Sequence, residues 1–557
     1  MLLLHSGAAG GCPLKTYNSF RPDLVRPAPA ATAAPQWAPD HAGFTATVLA
    51  EVLAGTAAVV DLRGLRDQPG AEQEAACLAA LADGADVIIG GRLPNDPDGH
   101  RAGRPDLLVR TEGGYLPGII RAYRLFDSRG DDSVTRVSPL ARLAEPVDLP
   151  RIRVRWRYRW HLALRLAHYH RMLTALGHAA PGACGLLVGD DPIEGLGQVA
   201  AWLDLTEAAL PLAGGQPHPD GLDQTSALER YDFEFARRVD LARRAEAGDV
   251  GPSPDLVPIR HRECERCAWW PVCRDQLDDD DLSLRISKSP LDPHEIAMLR
   301  EVGITTVTDL AAADLDALLP EYLPRVDHRH GSEERLRLAQ RRSRLLQQGV
   351  QLQRTDAEPV RIPGAELEID LDIETSAGER VYLWGFWVTD RVTGESGYEQ
   401  FSDFRILDEE GELDLARRAL SWLRERVEGA DALVYHYSGY ERDQLERLAR
   451  RCHDPLLEWA VGYSRERFVD LFPIIRQHFF GTEGLGLKVV ASLGAGFAWR
   501  DADPGGLNSM RWFDEAVGGE PAEQRERART RVLEYNEDDV RATQRVRDWL
   551  RSLDAPG

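Results

Sequence analysis

The chain has 557 residues with 90 acidic against 67 basic side chains, a formal net charge of −23. At about 150 residues per domain, that length points to roughly three or four domains. Hydrophobic residues make up 43% and charged residues 28%, a globular balance that excludes wholesale disorder, and the acidity argues against a protein that coats nucleic acid by bulk electrostatics.

The start, MLLLHSGAAGGC, has three leucines but neither a basic n-region nor an apolar run long enough for a signal peptide. The longest nearly uncharged apolar stretch, Thr45 to Val60, is broken by Glu51 and is too short to cross a hydrocarbon core of about 30 Å. A cytoplasmic protein with no membrane span is expected. The Pro/Ala-rich stretch from Arg26 to Pro39 reads as a loop or arm, because its prolines are too closely spaced for a regular element. Lysine occurs only at Lys15, Lys288 and Lys488, so positive charge is essentially arginine.

From Phe44 to Gly99 the pattern is α/β, with helical apolar spacing followed by the strand-like run DVIIGGRLP. The helix EQEAACLAAL offers Glu72 or Glu74, GRPDLLVR offers Asp106, and the next strand, GGYLPGIIRAYR, carries Ile119 and Arg121. Between Arg151 and Trp160, arginine alternates with apolar residues. This period of two predicts a strand with Arg151, Arg153, Arg155, Arg157 and Arg159 on one face. Such a face can track a phosphate backbone, or it is the solvated side of a half-buried strand. The following LALRLAHYHRMLTALG has helical periodicity and includes Arg165 and Tyr169.

Cys264, Cys267 and Cys273 stand in a C-x2-C-x5-C spacing that lets three thiolates converge on zinc or on an iron–sulfur cluster, each of which needs a fourth ligand. Cys12 and Cys184 are the thiol candidates, and His261 could complete a zinc site. Cys77 and Cys452 read as core or surface thiols. The run RDQLDDDD, Arg274 to Asp281, reads as a domain boundary, because adjacent aspartates repel one another and bury nothing. After it, LDPHEIAMLREVGITTVTDLAAAD reads as helix, turn, helix. It resembles a helix-hairpin-helix unit whose turn amides bind phosphate, with a structural hairpin as the alternative. The arginine-rich helix that follows (Arg335, Arg337, Arg341, Arg342, Arg344) is its solvated flank or a phosphate-contacting surface.

A further α/β region opens near Ala365 with strands AELEIDLDIE and VYLWGFWVTD, separated by a turn at Gly378. Asp372 and Glu374 are two apart, so on a strand both carboxylates face one way and can ligate divalent cations. LVYHYSGYERDQLERLA offers Glu441 after a strand, and VLEYNEDDVRAT places Tyr535 and Asp539 four apart on one helix face. Asp470 and Asp538 are reserve acids with structural alternatives. Lys488 either meets a phosphate or is an ordinary surface residue.

This ordered set resembles the DEDD exonucleases of the ribonuclease-H-like superfamily, in the subgroup with Y-x3-D. The resemblance implies Asp372, Glu374 and Asp539 as ligands of Mg2+ or Mn2+, and Tyr535 as the group orienting the attacking water. Glu441 stands where that subgroup usually has aspartate. The implied reaction is two-metal phosphodiester hydrolysis with 3′–5′ exonuclease action.

The first half resembles a PD-(D/E)xK nuclease of the RecB type, which implies a restriction-endonuclease-like fold with Glu74 and Asp106 as its acids. Ile119 and Arg121 replace its acid-x-lysine, Arg165 replaces its glutamine, and Tyr169 is retained. These departures predict a degenerate site that engages DNA with weak or no cleavage; ordinary solvated acids are the alternative. The cysteines resemble the iron–sulfur clasp of the same nucleases. That implies a [4Fe–4S] cluster on Cys12, Cys264, Cys267 and Cys273, with Zn2+ as the alternative.

The whole order resembles bacterial RecB-family nucleases fused to a ribonuclease-H-like exonuclease domain. The expected organisation is an α/β multidomain chain: residues 1–275 RecB-like, 283–350 a helical hairpin region, and 365–557 ribonuclease-H-like. The implied partner is DNA or RNA, with a helicase or repair complex as the kind of assembly it would join. The rival readings are a non-catalytic nucleic-acid-binding or scaffold protein and a zinc-stabilised structural protein.

Overall fold

In the first half of the chain, neighbouring strand residues feed two separate cores. Ile88, Leu108 and Leu187 pack on one side of a sheet, while Val87, Ile89, Leu107, Val109, Leu186 and Val188 pack on the other. A strand whose alternate side chains are both apolar must be covered on both faces. The computed structural model shows that arrangement. It describes residues 1–25, 27, 41–56, 58–128, 133–193, 195–217, 224–249, 251, 256–285, 291–376, 380–503 and 505–553. The Pro/Ala-rich stretch, apart from Pro27, and the turn at Gly378 lie outside the described residues. The chain divides into two compact units at Arg341 and Arg342.

The first unit is built on a mixed sheet of eight strands. Their order is Val147–Pro150, Val134–Pro139, Val199–Asp204, Cys184–Val188, Gly114–Ile120, Leu107–Thr111, Val87–Ile89 and Val59–Asp61. Helices Gly70–Ala82 and Trp156–Ala175 supply one core, and Val48, Leu49 and Val52 of helix His41–Gly55 supply the other. The predicted strand from Arg151 to Trp160 is corrected. Only Ile152–Val154 is extended, and a helix begins at Trp156. Arg151 lies in a turn with φ of 60°, Arg153 is on the strand, Arg155 caps the helix, and Arg157 and Arg159 lie within it. These five arginines do not share a strand face. Trp156 and Trp160 are four apart as well as even-numbered, so the same residues satisfy a helical repeat that continues through Ala163 and Ala167.

The aspartate run is also corrected. Asp281 is buried, ion-pairs with Arg300 at 2.6 Å and accepts from Ser283, while Asp280 accepts from the backbone and hydroxyl of Thr308. These carboxylates hold the region to helices Pro293–Glu301 and Val307–Ala312, which are joined through Gly303 at φ 84°. In the arginine-rich helix, Arg335 pairs with buried Glu295 at 2.7 Å and Arg337 pairs with Asp316 and Glu333. Among the described residues no helix is long and apolar enough to cross a membrane.

The second unit is a five-stranded mixed sheet in the order Ser396–Ser402, Val381–Asp390, Leu367–Thr375, Ala432–His436 and Phe468–Asp470. The first three strands form an antiparallel meander; the last two run parallel to the central strand. Along the central strand Leu367–Thr375, Ile369, Leu371 and Ile373 join a core with Leu415, Ala419 and Leu423 of helix Glu409–Val427. By alternation, Glu368, Asp370, Asp372 and Glu374 face the opposite way. There they meet the long C-terminal helix Ala522–Ser552, which crosses the sheet.

Candidate functional site

Four acids on one strand face would repel one another, and the helix opposite them divides the row in two. At one end Arg547, fully buried, pairs with Glu368 at 2.8 Å and Asp370 at 3.0 Å, while Arg391 and Arg551 add contacts to Glu368. At the other end, among the described residues, no arginine ion-pairs with Asp372 or Glu374. Asp539, two turns before Arg547 on the helix, joins them there. One carboxylate oxygen from each of Asp372, Glu374 and Asp539 lies within 4.8 Å of the others. Among the described residues this is the one convergent group of three or more acidic, His or Cys ligands.

Asp372 is half-buried, and Glu374 and Asp539 are buried. Burial, followed by the charges of Glu374, Asp539 and Glu441, holds the Asp372 carboxyl well above the usual range. Glu374 is raised by burial and by Asp539, and Asp539 is raised by burial against the opposing pull of Lys488. Removing water from grouped like charges disfavours ionisation of every member. A divalent cation relieves both penalties, and a donor set made only of oxygen suits Mg2+ or Mn2+.

Each acid has one oxygen engaged by a neutral donor. Asn536 Nδ2 donates to Asp372 Oδ2 at 2.7 Å, Ser509 Oγ to Glu374 Oε2 at 2.6 Å, and Trp499 Nε1 to Asp539 Oδ1 at 2.6 Å. Such donors fix carboxylate orientation while leaving an oxygen for a ligand. Lys488 Nζ donates to the Tyr535 hydroxyl at 2.9 Å, and the nearby ammonium and phenol both pull the Asp539 carboxyl down against its burial.

Glu441 lies outside the three-acid group. It opens helix Tyr440–Cys452, is buried, and stands 3.2 Å from Nδ1 of buried His436. Burial raises its carboxyl and His436 pulls it back. Asp470 caps helix Leu471–His478 and accepts from Ser438 N, and Asp538 is held by the backbone and guanidinium of Arg500. Both reserve acids thus have structural partners. No sequence pattern singles out Asn536, Ser509 or Trp499, although an asparagine inside a helix is a residue out of place by propensity.

In the first unit each expected acid meets an arginine. Asp106 accepts from Ile120 N and from Arg121 Nη1 at 2.8 Å, and Glu74 pairs with Arg92 at 3.0 Å. Tyr169 donates to Arg104 O and bonds Ser6 Oγ. Elsewhere in this unit, Cys12, Cys264, Cys267 and Cys273 line one pocket with His261. Cys12 N and Lys15 Nζ both donate to Glu263, at 3.0 Å and 2.8 Å, which ties the chain's first helix to the C-x2-C-x5-C segment. Burial pushes the Cys12 thiol up to about 11 and Cys273 up to about 12. Cys184 bonds Gly182 O outside that pocket, and Cys77 is buried.

Residues 370–551 match a family model of the RNase H superfamily. The match contains Asp372, Glu374, Glu441, Tyr535 and Asp539, so the second unit carries an RNase H-like domain. No curated protein and no solved structure matches the chain.

Proposed function

We propose that the protein is a metal-dependent nuclease whose second unit hydrolyses phosphodiester bonds of DNA as a 3′–5′ exonuclease. The carrying observation is the meeting of Asp372, Glu374 and Asp539 within 4.8 Å, at the end of an acidic row where no arginine pairs with them among the described residues. Those three would hold Mg2+ or Mn2+. Bound there, a pair of such ions would neutralise phosphate charge and activate the attacking water. Tyr535, anchored by Lys488, would orient that water, and Glu441 would add negative potential from the next element.

The first unit is read as a RecB-type nuclease fold that engages DNA with weak or no cleavage, because Arg121 and Arg92 neutralise the acids a metal would need. Its four pocket cysteines are assigned to a [4Fe–4S] cluster. All four line one pocket, which suits a centre held by four thiolates, and Zn2+ is the alternative occupant.

The test is degradation of single-stranded DNA labelled at its 5′ end. With Mn2+ the full-length protein should produce a descending ladder, and Asp372→Ala combined with Asp539→Ala should abolish it. Undiminished degradation by that double variant would overturn the proposal.

A further inference from the structure

Two residues in the second unit contradict their local structure, and each accounts for the other. Asn536 lies in the interior of the C-terminal helix, where asparagine is a poor choice, and is fully buried. Gly385 lies inside strand Val381–Asp390, where glycine loses packing and chain entropy. Its register partner on the central strand is Asp372. A Cβ added at Gly385 would fall 1.7 Å from Asn536 Oδ1, 2.8 Å from its Cγ and 3.2 Å from its Nδ2, so the glycine leaves room for that amide alone.

The amide links two further groups. Tyr398 OH, from the adjacent strand Ser396–Ser402, donates to Asn536 Oδ1 at 2.7 Å, and Asn536 Nδ2 donates to Asp372 Oδ2 at 2.7 Å. With Asp372 ionised, the form that a divalent cation binds, the polarity of this relay is forced. A carboxylate only accepts, so the NH2 end must face Asp372, and the carbonyl end then needs the tyrosine hydroxyl as donor. A flipped amide would set oxygen against oxygen.

We infer that Asn536, seated by Gly385 and oriented by Tyr398, is a positioning residue that presents Asp372 to a divalent cation. The inference rests on the metal-centre reading above and adds residues that neither the acidic pattern nor the family match assigns. The relay holds one carboxylate oxygen at a fixed place and leaves the other for a ligand. Partners of this kind alter metal affinity by roughly ten- to a hundredfold when removed.

The experiment is Mn2+ titration of the full chain followed by electron paramagnetic resonance of free Mn2+, with thermal unfolding as a check on folding. Asn536→Ala and Gly385→Ala should each weaken the Asp372-dependent site by roughly ten- to a hundredfold. The double variant should bind no more weakly than Asn536→Ala alone, because the atoms that collide with a residue-385 Cβ are then gone. Tyr398→Phe, which leaves the core filled, should weaken binding by less than Asn536→Ala. If Asp372→Asn removes the site while Asn536→Ala, Gly385→Ala and Tyr398→Phe bind as the unaltered protein does, this inference is overturned and the metal centre stands. Additive losses in the double variant overturn the seating role of Gly385. If Mn2+ binding is insensitive to Asp372→Asn, the metal-centre reading fails and the inference fails with it.

Discussion

Lys488 and Tyr535 meet twice: the ammonium donates to the phenol oxygen at 2.9 Å, and it lies 4.8 Å from the ring centroid. The phenol is buried, and burial with the neighbouring charges of Asp539, Glu374 and Asp372 raises its pKa, so it stays protonated and can donate. Lys488 therefore fixes a protonated phenol beside the acidic group. A hydrogen bond to a charged group contributes about 1.5–3 kcal/mol. Tyr535→Phe should therefore lower the turnover of Mn2+-dependent DNA hydrolysis by roughly ten- to a hundredfold with little change in KM. Lys488→Met, which keeps the stem and removes the donor, should give a smaller loss of the same kind. Steady-state kinetics on a labelled oligonucleotide checks both, and a change confined to KM would count against the role of the phenol.

The raised carboxyls of Asp372, Glu374 and Asp539 carry a stability consequence with a definite sign. Below pH of about 4 both folded and unfolded chains are protonated at these sites and no penalty exists. As pH rises, the unfolded chain ionises first, so the penalty on the metal-free fold grows until the folded carboxyls ionise and persists above that point. Asp372→Asn and Glu374→Gln should therefore stabilise the metal-free protein more at pH 8 than at pH 5. Mn2+ binds the ionised form, so it should raise the unfolding temperature more at pH 8 than at pH 5, with about 2.7 kcal/mol available at a hundredfold excess over Kd. Thermal unfolding in chelator and in Mn2+ at the two pH values measures this; a metal-induced shift independent of pH would contradict it.

How far the sequence discloses this arrangement depends on the distance between the partners. Asp372 with Glu374 and Tyr535 with Asp539 are short-range pairs, and the periods of a strand and a helix place each pair on one face. The contact between Asn536 and Asp372 spans 164 residues and has no linear signature; only the propensity violation at Asn536 hints at it. The segment at Arg151 misleads because aromatics at Trp156 and Trp160 fit both periods, and the helix that follows decides between them. The aspartates at 278 to 281 mislead for a different reason. Repulsion among like charges is weaker than the ion pair and helix-start hydrogen bonds that Asp280 and Asp281 make over a few ångströms.

The cysteine pocket separates its two candidate centres by composition and colour. Protein purified without oxygen should be brown and contain about four irons per chain if a [4Fe–4S] cluster is bound. Cys273→Ser should bleach it, whereas Cys184→Ser, whose thiol bonds Gly182 O elsewhere, should leave it unchanged. Because Cys12 and Cys273 join a small core with Leu14 and Tyr17, loss of the centre should also loosen helix Pro13–Phe20, detectable as faster proteolysis near the chain start. Colourless protein with one zinc per chain would replace the cluster by the metal ion.

The neutralised end of the acidic row gives the last prediction. Arg547, Glu368 and Asp370 are each at most 1% exposed, a degree of burial at which removing one partner of an ion pair leaves an uncompensated charge in a medium that solvates it poorly. Burial already pushes Asp370 up to about 7 with the guanidinium in place. Glu368 is held below its usual range, because Arg551, Arg547 and Arg391 outweigh its burial. Arg547→Met should therefore destabilise the second unit by about 3–5 kcal/mol. Its cost should be larger at pH 8 than at pH 5, since at the lower pH Asp370 takes up a proton and needs no partner. Adding Asp370→Asn to Arg547→Met should recover part of the loss at pH 8 and little at pH 5. Urea unfolding of the full-length variants at both pH values measures the effect, and equal losses at the two would show that the arginine acts by packing against the Tyr435 ring, 4.5 Å from its guanidinium carbon, instead of by charge.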